Sequence, residues 1–134
     1  MDPLRRSVTS ETTLKLLEAV ELFQEMDREV PAQVVSTFLY IASHNECHSI
    51  ALMEDLDMTG ASVSRNTDWL SKNHRLNKPG LDLIVKERDP SDMRRQILKL
   101  TAKGSDIHNK ILSILYGDTK PHSWCADNNL ATGS

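Results

Sequence analysis

A seven-residue segment, Asp89-Pro90-Ser91-Asp92-Met93-Arg94-Arg95, carries the clearest chemical signal in the sequence. Proline and serine between two aspartates are typical of a tight turn, so the segment would present two arginines near the tip of a hairpin. An aspartate two residues before an arginine can orient its guanidinium through charge-assisted hydrogen bonds, and an oriented cation suits the narrow minor groove of DNA. We therefore interpret Arg94 as a minor-groove contact, Asp92 as the residue that orients it, and Arg95 as a neighbouring DNA contact. The alternative is an ordinary charged turn, whose surface ion pair would contribute about 0–1 kcal/mol.

A second group of polar side chains lies at the start of a segment with helical periodicity, residues 60–73. Serine hydroxyls bind phosphates or bases, asparagine pairs well with adenine, and arginine binds guanine or phosphate. The group is predicted to face the major groove and consists of Ser62, Ser64, Arg65 and Asn66, while Lys72 and Lys86 are predicted phosphate contacts. The competing interpretation is a solvated helix face with no partner.

The charge distribution supports an anionic partner, although the chain as a whole has a net charge of −3. Residues 60–103 hold ten basic side chains against five acidic ones, whereas residues 1–59 hold four basic side chains against eleven acidic ones. One contiguous third of the chain is therefore positively charged, which favours binding to a nucleic acid through this part.

The elements that must position these residues follow from hydrophobic periodicity. Helices are predicted over residues 9–28, from Pro31 to about residue 44, over 49–56 and over 60–73, and the last two are separated by a tight turn, which is helix-turn-helix spacing. Strands at 83–85 and 96–100 form a hairpin, and Thr101 caps a final helix that ends at Gly117. The predicted class is mostly α: a winged helix-turn-helix with a two-stranded β-hairpin wing.

The first helix carries an apolar surface that covers more than half of its circumference, with its glutamates gathered on one narrow, solvated face. It could be buried on two sides within its own domain, but a domain of this size has little else to cover it, so we favour contact with a second copy of the chain. We predict a single DNA-binding domain over residues 1–117, with dimerisation helices at 9–28 and 101–117, the helix-turn-helix at 49–73 and the wing at 82–100. Residues 118–134 are predicted to be a disordered tail.

Three ordered motifs resemble those of the MarR family of winged-helix transcriptional regulators: Leu52, Leu56 and Met58 with Ser62-Val63-Ser64-Arg65 and Leu70; Asp89 to Arg95; and Leu100-Thr101-Ala102-Lys103-Gly104. The resemblance spans about residues 30–116. It implies that residues 60–73 are the recognition helix, that Arg94 is the wing arginine held by Asp92, and that the first and last helices form the interface of a homodimer. Family members bind pseudo-palindromic double-stranded DNA, usually as repressors, and many release it on binding a small phenolic ligand or on cysteine oxidation.

The chain departs from the family pattern in two places. Residues 73–80 form a basic insertion before the first wing strand, which could contact phosphates, redirect the wing or have no effect. The last helix is short, so the dimer interface could be smaller than usual, and this compactness is similar to that of phage-encoded or prophage-encoded regulators.

Other functions receive less support from the sequence. His44, Cys47 and His48 lie close together, but a zinc site needs a fourth ligand and none is nearby, so we predict no metal and no cofactor. Cys47 could serve as a redox sensor if its thiol pKa were lowered. No catalytic motif is present, so we predict no enzyme activity, and the absence of an apolar span or leader predicts a cytoplasmic protein. The alternative function is a winged-helix module that binds a protein rather than DNA.

Overall fold

The computed structural model describes residues 7–44, 46–74 and 78–117. Within these residues the chain forms five helices and three strands in the order α1 (Glu11–Met26), α2 (Ala32–Ser43), β1 (Cys47–His48), α3 (Ser49–Asp55), α4 (Gly60–Leu70), β2 (Ile84–Asp89), β3 (Asp92–Leu100) and α5 (Ala102–Tyr116). The mostly helical class with a β-hairpin is confirmed. The predicted tail, 118–134, lies outside the described residues, and no described helix is long and apolar enough to cross a membrane.

Three helices begin at side chains that accept a hydrogen bond from the first turn. Ser10 accepts from the backbone N–H of Thr13 at 3.2 Å, and Thr59 and Thr101 cap α4 and α5 in the same way. These caps satisfy backbone donors that the first turn cannot pair, which is why the sequence marks these starts clearly. Helix α3 differs from these three, because its N-cap is His48, whose side chain makes no capping hydrogen bond, and Ser49 is its first residue.

The three strands form one antiparallel sheet in the order β1-β3-β2. The hairpin turns at Pro90 and Ser91, and its last pair is Asp89 with Asp92 after a bulge. The predicted two-stranded wing is confirmed as β2 and β3. Strand β1, which was not predicted, adds a third strand that pairs Cys47 with Leu98 and the next residue with Ile97. A two-residue strand has no periodicity of its own, so only its partner reveals it.

The core lies between the helices and one face of the hairpin. Phe23 of α1 and Phe38 of α2 meet edge to face at a ring-centroid distance of 5.4 Å and are almost fully buried. Around them lie the other fully buried large aliphatic side chains: Val34, Leu52, Leu70, Leu83, Ile84 and Leu98. Helix α1 packs on α5 and α2 on α4, so the same core that closes the domain also fixes α4.

Helices α1 and α5 retain apolar side chains on the protein surface. Leu16 is 60% exposed and Tyr116 is 85% exposed, and Leu17, Leu112 and Leu115 are also exposed. The expectation that every glutamate of α1 lies on a solvated face was wrong for Glu18, which is buried. Glu18 follows buried Leu14 by one helical turn and therefore lies on the inward side of α1.

Candidate nucleic-acid interface

The tip of the hairpin presents an arginine that a carboxylate holds in place. Asp92 Oδ1 accepts hydrogen bonds from the backbone N–H of Arg94 at 3.1 Å and from its Nε at 3.2 Å. Asp92 Oδ2 accepts from Arg94 Nη2 at 3.4 Å. These bonds hold the pKa of Asp92 below its ordinary value, with the charge of Arg95 adding to the effect. The Arg94 side chain is 91% exposed, so it is oriented without being covered.

Two further guanidinium groups lie beside this pair. Arg95 Nε is 3.6 Å from Asp92 Oδ2 and its side chain is 60% exposed. Exposed Arg88, across the hairpin, donates from Nη1 to the carbonyl of Met93 at 3.2 Å. Arg88 contributes to the positive charge of residues 60–103 but was not predicted as a site residue. Its position directly before Asp89, where the hairpin turns, is the sequence signal that would have placed it near the tip. The tip therefore carries three arginines on a short hairpin.

Helix α4 exposes part of the predicted polar group near its N-terminus. Ser64 and Arg65 are exposed and Ser62 is half-buried. Thr59, the N-cap, donates to Ser62 Oγ at 3.1 Å, and Arg65 Nη2 lies 3.5 Å from the same oxygen. The first two turns thus present hydroxyls and one guanidinium, which are groups that bind both phosphates and base edges.

Asn66 does not join this exposed group. It is only 4% exposed, and its Nδ2 donates to Gln33 Oε1 of α2 at 3.2 Å. The prediction that Asn66 faces a ligand is corrected for a geometric reason: Asn66 shares its helix face with buried Val63 and Leu70, three and four residues away. Its amide instead attaches α4 to α2.

The two predicted phosphate-binding lysines lie towards the other end of α4. Lys86 Nζ forms an ion pair with Asp68 Oδ1, and its side chain is 21% exposed. Lys72 is exposed just beyond the end of α4. The N–H of Leu83 donates to the carbonyl of Leu70 at 2.8 Å, which places this end of α4 at the base of the hairpin rather than at its tip.

The described part of the insertion, residues 73, 74 and 78–80, folds back against α4. The buried ring of His74 meets Trp69 edge to face at 4.6 Å. Trp69 Nε1 in turn donates to Asp27 Oδ2, just after α1, at 2.9 Å. His74 therefore packs against the C-terminal end of α4, next to the Trp69 side chain that attaches α4 to the end of α1.

The environment of Cys47 contradicts the redox-sensor interpretation. The residue is 4% exposed, and burial, with a smaller effect from Asp55, raises its thiol pKa to about 11. A reactive cysteine needs a lowered pKa and access to solvent. The nearby histidines have separate partners, His44 on Tyr40 and His48 on Asp89. Among residues 7–44, 46–74 and 78–117, no cluster of three or more metal-ligating side chains could hold a metal ion.

Comparison with known proteins identifies the fold. No protein-family model matches the sequence, and no curated protein sequence matches it. Among solved structures, a MarR-like transcriptional regulator from Thermotoga maritima is 25% identical, with a TM-score of 0.54 over 80% of this chain and 75% of that one. MepR of S. aureus in a complex with DNA is 23% identical, with a TM-score of 0.58 over 78% of this chain and 75% of that one. The chain has the MarR winged-helix fold.

The MarR fold confirms the architecture that the three motifs implied. A structure of reduced AbfR bound to DNA also matches, at 15% identity and a TM-score of 0.53 over 77% of this chain and 74% of that one. In the MarR fold of this chain, α3 and α4 form the helix-turn-helix and β2 and β3 form the wing. The hydroxyls of α4 thus lie on the second helix of the helix-turn-helix, the helix that enters the major groove in helix-turn-helix proteins, and the exposed arginines lie at the tip of the wing.

Proposed function

We propose that this chain is a homodimeric regulator of transcription that binds pseudo-palindromic double-stranded DNA and represses the adjoining genes. The observation that carries the proposal is Arg94, whose side chain is 91% exposed at the wing tip while two hydrogen bonds from its guanidinium to Asp92 fix its direction. Because this exposed side chain is already held in one orientation, it loses less rotamer entropy when it binds an anionic groove. The solved DNA complexes of MepR and AbfR, which share the fold, support this choice of partner.

Each site residue has a separate role in this proposal. Ser62, Ser64 and Arg65 contact base edges and phosphates in the major groove. Arg94 and Arg95 contact the minor groove, where narrow segments attract arginine. Lys72 and Lys86 are peripheral phosphate contacts, and Lys86 must exchange Asp68 for a phosphate.

The homodimer is part of the same proposal, with residues 9–28 and 101–117 as the dimerisation helices. The exposed apolar side chains of α1 and α5 support it, because the two helices pack on each other and both keep large apolar side chains exposed, which is typical of protein–protein contact surfaces. Light scattering at micromolar concentration is expected to give twice the chain mass for the wild type and a lower mass for Leu16→Glu. A wild-type mass of one chain would contradict the dimer.

The proposal assigns no catalytic activity to the chain, and it places the protein in the cytoplasm. The matched structures are of transcriptional regulators. PcaV of Streptomyces coelicolor was solved in complex with its natural ligand, which supports proposing a small-molecule effector for this chain as well.

Selection from a random duplex library tests the proposed function. The wild type is expected to enrich two half-sites related by a two-fold axis. Arg65→Ala is expected to lose the preference at one base position in each half-site, at about 1–3 kcal/mol per contact. Glu29→Ala, which removes an exposed charged side chain outside α4, the wing and the dimerisation helices, is the control and should enrich the wild-type motif. Enrichment of no motif by the wild type would contradict the proposed function.

A further inference from the structure

His48 lies at the point where the sheet narrows from three strands to the two strands of the wing. Strand β1 is two residues long, and its last pair with β3 is His48 with Ile97. The outer part of β3, from Asp92 to Gln96, extends beyond that pair and has only β2 beside it. Two-stranded hairpins are marginally stable by themselves, so the direction of the tip depends on other contacts with the domain.

One such contact joins His48 to the turn of the wing. His48 Nε2 is 2.9 Å from Asp89 Oδ2, and the two side chains are 31% and 12% exposed. Asp89 Oδ1 accepts the backbone N–H and the hydroxyl of Ser91 at 2.9 and 2.7 Å. The bond to His48, followed by those to Ser91, holds the pKa of Asp89 well below its usual range. The ionised carboxylate therefore connects the body of the domain to the turn.

The space beside this contact is open. A cleft of ≈ 330 Å³ separates the beginning of α3 from the outer part of β3, and His48, Ile50, Arg94 and Arg95 are among its lining residues. Because side chains do not fill the cleft, packing on this side restrains the tip only weakly. The bond between His48 and Asp89, which lies beside the cleft, is therefore an important restraint on the tip.

We propose that His48 is a positioning residue for DNA binding, which acts through Asp89 to hold the wing turn and thereby aims Arg94. The connection runs from His48 to Asp89, through the two-residue turn to Asp92, and from Asp92 to the guanidinium. This inference rests on the proposed function. Of His44, Cys47 and His48, which were considered as metal ligands because they lie close together in the sequence, His48 thereby has a role that needs no metal.

A double-mutant cycle tests the inference, with fluorescence anisotropy of a labelled random-sequence duplex as the measurement. His48→Ala is expected to weaken binding about fivefold, which is less than the full contribution of a hydrogen bond to a charged group, because this bond affects DNA only through the orientation of the wing. His48→Gln retains an N–H donor at similar reach and is expected to bind within twofold of the wild type. In an Arg94→Ala background, His48→Ala should cause no further loss, because the residue acts through that arginine. His44→Ala is the matched control, since His44 bonds to Tyr40 and not to the wing.

The outcomes separate this inference from the proposed function. If Arg94→Ala weakens binding and His48→Ala does not, or if His48→Ala weakens binding equally in both backgrounds, the positioning role is overturned. If the wild type does not bind the duplex at all, the proposed function fails instead. Thermal unfolding of each variant shows that it is folded, and loss of binding by a folded His48→Gln would also count against the donor role.

Discussion

Gly104 allows α5 to begin in direct contact with the segment before the wing. Thr101 donates its N–H to the carbonyl of Leu83 at 3.0 Å and its hydroxyl to the carbonyl of Asp82 at 2.7 Å. The same hydroxyl accepts the N–H of Gly104 at 2.9 Å. A Cβ atom on Gly104 would lie 2.0 Å from the Leu83 carbonyl oxygen and 3.0 Å from its carbon, both backbone atoms. Gly104→Ala therefore forces α5 away from this segment.

The magnitude follows from the contacts that such a shift breaks. Overpacking costs about 1–3 kcal/mol, the hydrogen bond to Leu83 about 1 kcal/mol and the weakened helix cap about 1 kcal/mol. The helix propensity of alanine returns about 1 kcal/mol. We expect Gly104→Ala to lower the free energy of unfolding by about 2–4 kcal/mol.

Urea unfolding followed by circular dichroism measures this change, at one fixed protein concentration because a dimer's stability depends on concentration. Gly60→Ala is the matched control, since the nearest atom to its added methyl would be Met53 Cε at 3.9 Å. That variant should be as stable as the wild type or more stable by up to about 1 kcal/mol. A loss below about 0.5 kcal/mol in Gly104→Ala, within the range of ordinary surface substitutions, would refute the reasoning.

Two further predictions concern buried and ionised groups. The sequence has one other cysteine, Cys125, which a Cys125→Ser variant removes. In that variant the thiol of Cys47 is expected to resist a disulfide reagent at pH 7.5 and to react after denaturation, because burial raises its pKa to about 11. Rapid labelling of the native protein would contradict this. Asp89 has a lowered pKa in the folded chain, so its ionisation stabilises the fold above the ordinary carboxyl pKa, and this contribution is lost as the pH falls below about 4. Asp89→Asn should therefore be less stable than the wild type at pH 6, and the difference in stability should be smaller at pH 3. Urea midpoints of both proteins at both pH values measure this difference. A difference that is the same at pH 6 and pH 3 would contradict the argument.

Much of the fold was predictable because local signals and tertiary packing agree. Ser10 and Thr101 are cap residues followed by apolar residues at helical spacing, and both start helices in the structure. The turn between Asp89 and Asp92 and the hydrogen bonds of Arg94 to the second aspartate were also readable, since they involve residues close in sequence. Interactions of short range leave patterns that one sequence reveals.

The features that sequence reasoning missed depend on partners distant along the chain. Strand β1 exists only because Leu98 and Ile97 pair with it. Asn66 is polar but faces inward, because Gln33 supplies an acceptor there. Lys86 looked like a free cation, yet Asp68 of α4 neutralises it. Periodicity assigns a residue to a face of its helix or strand, but the partner on that face comes from tertiary structure.

The salt dependence of DNA binding tests the central claim most directly. Anisotropy of a labelled random duplex, measured from 50 to 300 mM salt, is expected to show a steep linear fall of log K with log salt concentration for the wild type. Arg94→Ala is expected to bind more weakly and with a slope shallower by about two, one unit for each protomer of a dimer. Undetectable binding of the wild type even at low salt would contradict the account and favour the alternative, a winged-helix module that binds a protein.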